Sequence, residues 1–171
     1  MKVIHCTNKL ITKLDIIVQP KDNNHINQGI GDWYSNIFEH SRKQHLVFIN
    51  TKTLISFVVP HVLKKDLKNY QDLFMNGLRS LLLDLNVESE LIDKIFIEYI
   101  HLQIAKTESK RIIGFMNDVV QDYKYIFTKD SVYRINTIKD FNININKKPI
   151  KALDYKFPIE VFKELILSEY S

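Results

Sequence analysis

A chain of 171 residues, 45% hydrophobic and 26% charged, has an ordinary globular composition with room for one substantial core. Four glycines argue against a glycine-rich phosphate loop or a turn-dense barrel, and a single cysteine excludes an internal disulfide, which fits a reducing compartment. The formal net charge of +4 is compatible with an acidic partner without requiring one.

Residues 2–6 predict a short strand, with β-branched Val3 and Ile4 ahead of a polar break. Cys6 belongs to it as a small half-buried side chain, and His5 and Thr7 beside it make no catalytic pair. Thr7 is placed to cap a helix over 8–14 whose apolar face is Leu10, Ile11 and Leu14. Residues 19–31 hold Pro20, Asp22, Asn23, Asn24, Asn27, Gly29 and Gly31 and predict a long loop. Asp32 can then cap a helix whose apolar face is Trp33, Ile37 and Phe38. The competing reading makes Asp32 a functional carboxylate. Residues 45–50 and 53–59 predict two strands joined by a tight turn at Asn50-Thr51-Lys52. Their near-continuous apolar runs imply cover on at least one face, and Pro60 ends the second.

The clearest helical period runs over 66–85, through Leu67, Tyr70, Phe74, Gly77, Leu78, Leu81 and Leu85. Ser89 is positioned to cap a second helix bearing Leu91, Ile92, Ile95, Phe96 and Tyr99. Residues 99–105 alternate in part and predict a strand that feeds a third long helix over 109–127, with Ile113, Met116, Val120, Tyr123 and Phe127 on its core face. Residues 130–134 predict an edge strand. Within 136–146, Phe141-Asn142-Ile143-Asn144-Ile145-Asn146 alternates like a strand and fits a short helix equally well. Pro158 suits the first turn of a last helix over 159–167. With no repeat and no linker, the expected fold is α+β, a single domain over 1–171. Three long helices would pack on one face of a small, mostly antiparallel sheet. No apolar run approaches the ~20 residues that cross a bilayer. The N-terminus has no signal-peptide core, so a cytoplasmic location is expected and no membrane partner.

The densest polar stretch is Lys106-Thr107-Glu108-Ser109-Lys110-Arg111-Ile112-Ile113-Gly114-Phe115-Met116-Asn117-Asp118. If a helix starts near Ser109, then Lys106, Lys110 and Arg111 crowd its N-terminus against the macrodipole, at about 0.3–1 kcal/mol each. An anion held there would explain them: a phosphate, or the chain's own Asp32 or Glu108. Lys110, Gly114, Asn117, Asp118 and Gln121 share one helical face. Gly114 leaves a notch in it at a cost of about 1 kcal/mol against alanine. A crossing strand or helix, or a ligand, is expected to fill that notch. His40 and His45 with Glu39 are too loosely spaced for a metal site, and no zinc motif, nucleophile elbow, phosphate loop or dinucleotide fingerprint occurs. Neither a metal nor a cofactor is assigned. The lysine pairs Lys64-Lys65 and Lys147-Lys148 lack the interleaved aromatics of a single-strand platform.

Several landmarks come in a familiar order: His5-Cys6-Thr7-Asn8-Lys9-Leu10, Gly31-Asp32-Trp33-Tyr34-Ser35-Asn36, Thr53-Leu54, the 106–118 stretch, and Tyr155 and Pro158. In this the chain resembles the uncharacterised bacterial domain family DUF6933 over nearly its whole length. The resemblance carries no activity with it. It implies that Lys9, Asp32-Trp33 and the 106–118 stretch belong together. Two departures stand out: the family has Arg where this chain has Lys110, and a small residue where it has Phe115. Lysine cannot reproduce a bidentate arginine contact, and a large Phe115 could narrow the notch.

The candidate polar site is therefore Lys9, Asp32, Trp33, Lys106, Thr107, Ser109, Lys110, Gly114, Asn117 and Asp118. Three functions compete. The first is an accessory protein of a mobile element, antitoxin-like or counter-defence, binding a protein or nucleoprotein, with nucleic acid as a further candidate. Small size, mild basicity, the lack of a catalytic motif and an Ile-, Asn- and Lys-rich composition motivate it. The second is a small enzyme on a phosphate-bearing substrate, with Lys106, Thr107 and Lys110 holding the phosphate and Asp32 or Asp118 as base or metal ligand. The third is structural, with Lys106 paired to a buried Asp32. The oligomeric state is not legible in the sequence.

Overall fold

The computed structural model describes residues 1–18, 20, 25–128 and 137–171. Among these residues, five strands form one sheet: β1 (Lys2–Cys6), β2 (Trp33–His40), β3 (Lys43–Asn50), β4 (Ser56–Val59) and β5 (Leu102–Lys106), in the order β4-β3-β2-β1-β5. β2, β3 and β4 are antiparallel neighbours, whereas β1 runs parallel to both β2 and β5. The described residues also hold six α-helices: α1 (Asn8–Leu14), α2 (Tyr70–Asp84), α3 (Ser89–Glu98), α4 (Lys110–Ile126), α5 (Ile138–Asn144) and α6 (Pro158–Tyr170). The fold is α+β. No helix of the described residues is long and apolar enough to cross a membrane.

The segment from Trp33 onward is a strand, not the expected helix. Trp33 and Ile37 point into one core while Tyr34 and Phe38 point into another. Both faces of β2 are buried, so apolar residues recur without the period-2 gaps that mark a half-exposed strand. The helices likewise cover both faces of the sheet rather than one. α1, α2, α3 and α6 close the core around Trp33, Phe48, Phe57 and Phe74, and α4 and α5 close the other around Tyr34, Val47, Met116 and Phe141.

The remaining expectations divide simply. Thr7 caps α1 through its hydroxyl, which accepts from the Leu10 N–H, and Ser109 caps α4 in the same way from Ile112. Residues 66–69 form a 3-10 turn ahead of α2 instead of its first helical turn. Residues 138–144 resolve as helix α5, and Pro158 opens α6. The edge strand expected over 130–134 lies outside the described residues. Gly77 sits where α2 crosses β4: a Cβ there would run into the Phe57 ring and Val59.

β4 is an edge strand, and α5 with the 3-10 turn that follows it (Ile145–Lys147) closes it with side chains. Asn146 accepts from the Ser56 N–H at 2.9 Å and donates to the Ser56 carbonyl at 2.7 Å. One helical turn earlier, Asn142 accepts from the Val58 N–H at 2.9 Å and donates to the Val58 carbonyl at 3.3 Å. A primary amide offers the same donor and acceptor as a peptide group. Two of them at i, i+4 therefore imitate a sixth strand and protect an edge that would otherwise invite pairing.

Candidate functional site

β1 and β5 are parallel neighbours, and the Thr107 N–H donates to the Cys6 carbonyl at 3.2 Å where both end. From there α1 leaves to one face of the sheet and α4 to the other. Lys9, Lys106, Thr107, Ser109 and Lys110 thus issue from one edge of the sheet, on the first turns after two adjacent strands. A divergence of this kind at the carboxyl ends of parallel strands opens a crevice. Lys9, Lys106, Lys110 and Arg111 are exposed, and none joins an ion pair among the described residues.

Tyr34 organises the start of α4 from beneath. Its hydroxyl accepts from the Glu108 N–H at 3.2 Å and the Ser109 N–H at 2.9 Å. Its ring lies against His5, centroids 4.8 Å apart. A neutral phenol therefore occupies the place expected for an internal anion.

Asp32 is elsewhere. Cys6, Ser35 and Lys106 are level across the sheet, and Asp32 lies three residues back from Ser35, about 10 Å at ~3.3 Å per residue. It is 1% exposed. Its Oδ1 accepts from the Val3 N–H at 3.0 Å, and its Oδ2 stands 2.7 Å from His25 Nε2 and 3.7 Å from His5 Nε2. Burial alone would raise this carboxyl. His5, the Val3 N–H and His25 together outweigh burial and hold it below its usual range. Two histidines and a backbone amide thus replace the expected Lys106 partner. His5 spans the gap, since its Nδ1 also lies 3.2 Å from the Lys106 carbonyl. Trp33 is a core residue whose Nε1 donates to Tyr99 Oη at 3.0 Å.

The segment holding Asp32 is fixed from many directions. The Asn50 side chain donates to the Ile30 carbonyl at 2.8 Å, and its Oδ1 accepts from the Lys52 and Thr53 N–H groups at 3.1 and 3.0 Å. Lys52 donates to the Gly29 carbonyl at 2.7 Å, Lys2 to that of Gln28 and Tyr99 to that of Gly31. Tyr170 Oη accepts from the Ile30 N–H at 3.1 Å. Gly29 has φ 56°, and a Cβ there would collide with Tyr170 Oη and the Glu98 carboxylate, which pairs with Lys2 at 2.8 Å. Of these residues, Asn50 carried a local signal, an Asn followed by Thr at i+3 as in side-chain-closed turns. His25, Tyr99 and Tyr170 carried none.

The outer face of α4 is open. Lys110, Arg111, Gly114, Asn117, Asp118 and Gln121 are all exposed, and among the described residues a Cβ added at Gly114 would meet nothing within 4 Å. The crossing element expected at the notch is absent among the described residues. Phe115 packs against the second core, and Asp118 lines a cavity of about 240 Å³ with Phe115, Asp122 and Lys148.

Cys6 is enclosed, with Tyr70 Oη 3.4 Å from its sulfur, and burial pushes the thiol up to about 12. It is expected to react with a water-soluble disulfide reagent only as the protein unfolds. The rate, followed across a urea titration, should rise with the unfolded fraction, and fast modification without urea would contradict this burial.

The model of the family described as Domain of unknown function (DUF6933) matches residues 3–161, and the chain belongs to that family. No curated protein matches it.

Proposed function

We propose that this chain is a non-enzymatic accessory protein that binds a macromolecular partner, a protein or nucleoprotein, through the outer face of α4 and the cationic crevice beside it. An antitoxin-like or counter-defence role for a mobile element is the biological form of this reading. It also places the protein in the cytoplasm. The observation that carries it is Gly114. A glycine inside a helix costs about 1 kcal/mol against alanine, and nothing among the described residues approaches this one. A partner that needs close access to the helix backbone accounts for it. The flanking Lys106, Lys110 and Arg111 support the reading, because no internal carboxylate consumes their charge among the described residues.

Gly114→Ala is expected to stabilise the fold by about 0.5–1 kcal/mol in urea denaturation while weakening capture of the partner. Gly114→Leu should abolish capture with the fold intact. The assay is affinity capture from bacterial lysate by immobilised wild type, Gly114→Leu and a Lys106→Ala/Lys110→Ala/Arg111→Ala triple variant. A partner held by wild type and lost by both variants fits the proposal. No reproducible partner, or one retained equally by both variants, sinks it.

The second reading, a small enzyme on a phosphate-bearing substrate, is favoured by the diverging helices at the β1–β5 crevice. Lys106, Thr107 and Lys110 would meet the phosphate there. Its proposed bases stand apart: Asp32 is buried and engaged, and Asp118 lies two turns along α4. Thermal-shift titration with nucleotides and divalent ions tests it, and no shift with any of them would remove it.

A further inference from the structure

A second group of histidines lies far from the crevice, where β2 turns into β3. Ser41 and Arg42 make that turn with φ of 52° and 62°, the two-residue geometry that matches strand twist. His45 points from β3 into the core beneath α4 and is 2% exposed. Its ring stacks on Phe38 with centroids 5.1 Å apart and leans on Tyr123 of α4 at 5.0 Å. His61, in the bend after β4, and His40, at the end of β2, bring their rings to 5.5 and 6.4 Å from it.

The hydrogen bonds fix one protonation state. His45 Nε2 lies 3.3 Å from the His40 carbonyl, which only accepts, so this nitrogen carries the proton. Nδ1 lies 3.4 Å from the His61 N–H, which only donates, and 3.2 Å from Tyr123 Oη. Nδ1 must therefore be the acceptor. A second proton can go only onto Nδ1, where it would confront the His61 N–H. The groups facing His45 are Tyr123 from α4, His40 from β2, His61 from the bend and Lys43 from β3 itself. Among the described residues none of these is a carboxylate, so the new charge finds no counter-ion there. His40 Nε2 meanwhile lies 3.1 Å from the Phe127 carbonyl, tying the same hairpin to the end of α4.

We propose that His45, wedged between His40, His61 and Tyr123, is an acid-sensitive latch: when it gains a proton, the last turns of α4 loosen from the β2–β3 hairpin. Burial, and then the neighbouring charges of His61, His40 and Lys43, hold the imidazole below its ordinary value of 6.5, against the opposing bond to the His40 carbonyl. The sign follows. The folded form binds this proton more weakly than the unfolded form. Stability is whole above about 6.5, the value for an unperturbed imidazole, and falls as the pH drops below it.

The experiment follows the His45 ring resonances by NMR from pH 8 to pH 4.5, with amide exchange on the same samples. His45 should titrate below the ordinary imidazole range. Amide exchange at 123–127 should rise severalfold across that titration, while the first turns of α4 at 112–116 stay protected. His61→Ala removes a facing cation from an exposed position and keeps the backbone N–H, so it should shift both the midpoint and the onset of exchange. The midpoint moves up towards the ordinary value. A His45 that titrates at or above the ordinary value overturns the proposal. So does exchange at 123–127 that ignores the titration, or a midpoint unmoved by His61→Ala.

Discussion

Asp32→Ala is expected to remove about 3–5 kcal/mol of stability, enough to leave much of the chain unfolded if its total lies at the bottom of the usual range of about 5–15 kcal/mol. The substitution strands the Val3 N–H inside the sheet and leaves His25 and His5 without the carboxylate they share. It also empties a site where almost no water reaches the side chain. Asp32→Asn is the informative companion. It keeps the shape and an acceptor for Val3, but its amide would face His25 Nε2. His25 can still accept by changing tautomer, so the loss should be nearer 1–2 kcal/mol. Urea denaturation measures both, read as midpoint shifts at constant slope. A loss under about 1 kcal/mol for Asp32→Ala would mean that the carboxylate does not organise the loop. The acid limb separates this group from the histidine latch. Because the carboxyl sits below its usual range, its contribution is complete above the ordinary carboxylate value of about 3.9 and fades only as the pH falls further, through its folded value. Loss of stability between pH 6.5 and 5 is therefore not owed to Asp32.

Asn146→Ala should cost about 2–4 kcal/mol, since it leaves both the N–H and the carbonyl of Ser56 buried without partners. The larger effect is expected in solution behaviour. With half of the imitation strand gone, the edge of β4 becomes available to another chain. The variant should form large species on light scattering at temperatures where the wild type stays small. Asn142→Ala, at a half-buried position, should follow the same course more weakly. Asn146→Asp separates the two bonds. Its carboxylate still accepts from Ser56 but offers no donor to the carbonyl, so stability should fall by an amount comparable to alanine. An Asn146→Ala protein that is as stable and as dispersed as wild type would remove the clamp from the account of this edge.

The helices legible in the sequence share one property: each has a single buried face, whereas β1 and β3, buried on both faces, were legible from short β-rich apolar runs. α2, α3, α4 and α6 show helical spacing because water lies on their other side, and Thr7, Ser109 and Pro158 mark starts by purely local chemistry. β2 failed for the opposite reason. With Trp33 and Tyr34 buried in different cores, its sequence carries no alternation, and its exit through Ser41-Arg42 contains neither Gly nor Asn to announce a hairpin. The same limit governed the site. That Lys9 and Lys106 leave adjacent strands follows from the parallel pairing of β1 with β5, which no local pattern encodes. Asp32, read as a helix cap, a functional carboxylate or the partner of Lys106, is held instead by two histidines and the Val3 N–H. The choice among a lysine and two histidines depended on strand register, and Asp32 precedes Trp33, which is level with Ile4, whereas Lys106 is level with Cys6.

Tyr170 and Tyr99 have a consequence for how the protein is made. The segment they clasp, residues 25–32, leaves the ribosome ahead of its partners, which follow at separations of 140 residues for Ile30 with Tyr170 and 68 for Gly31 with Tyr99. During translation β1 and the Asp32 cluster must wait, with Lys2 and Glu98 also unmatched until α3 has emerged. Contacts of such long range slow folding, because loop closure comes before any gain from them. A nascent chain stalled before α6 would hold the hairpin of β2 and β3 but not the closed loop. Arrest at that length is the point at which a chaperone or a protease would find it.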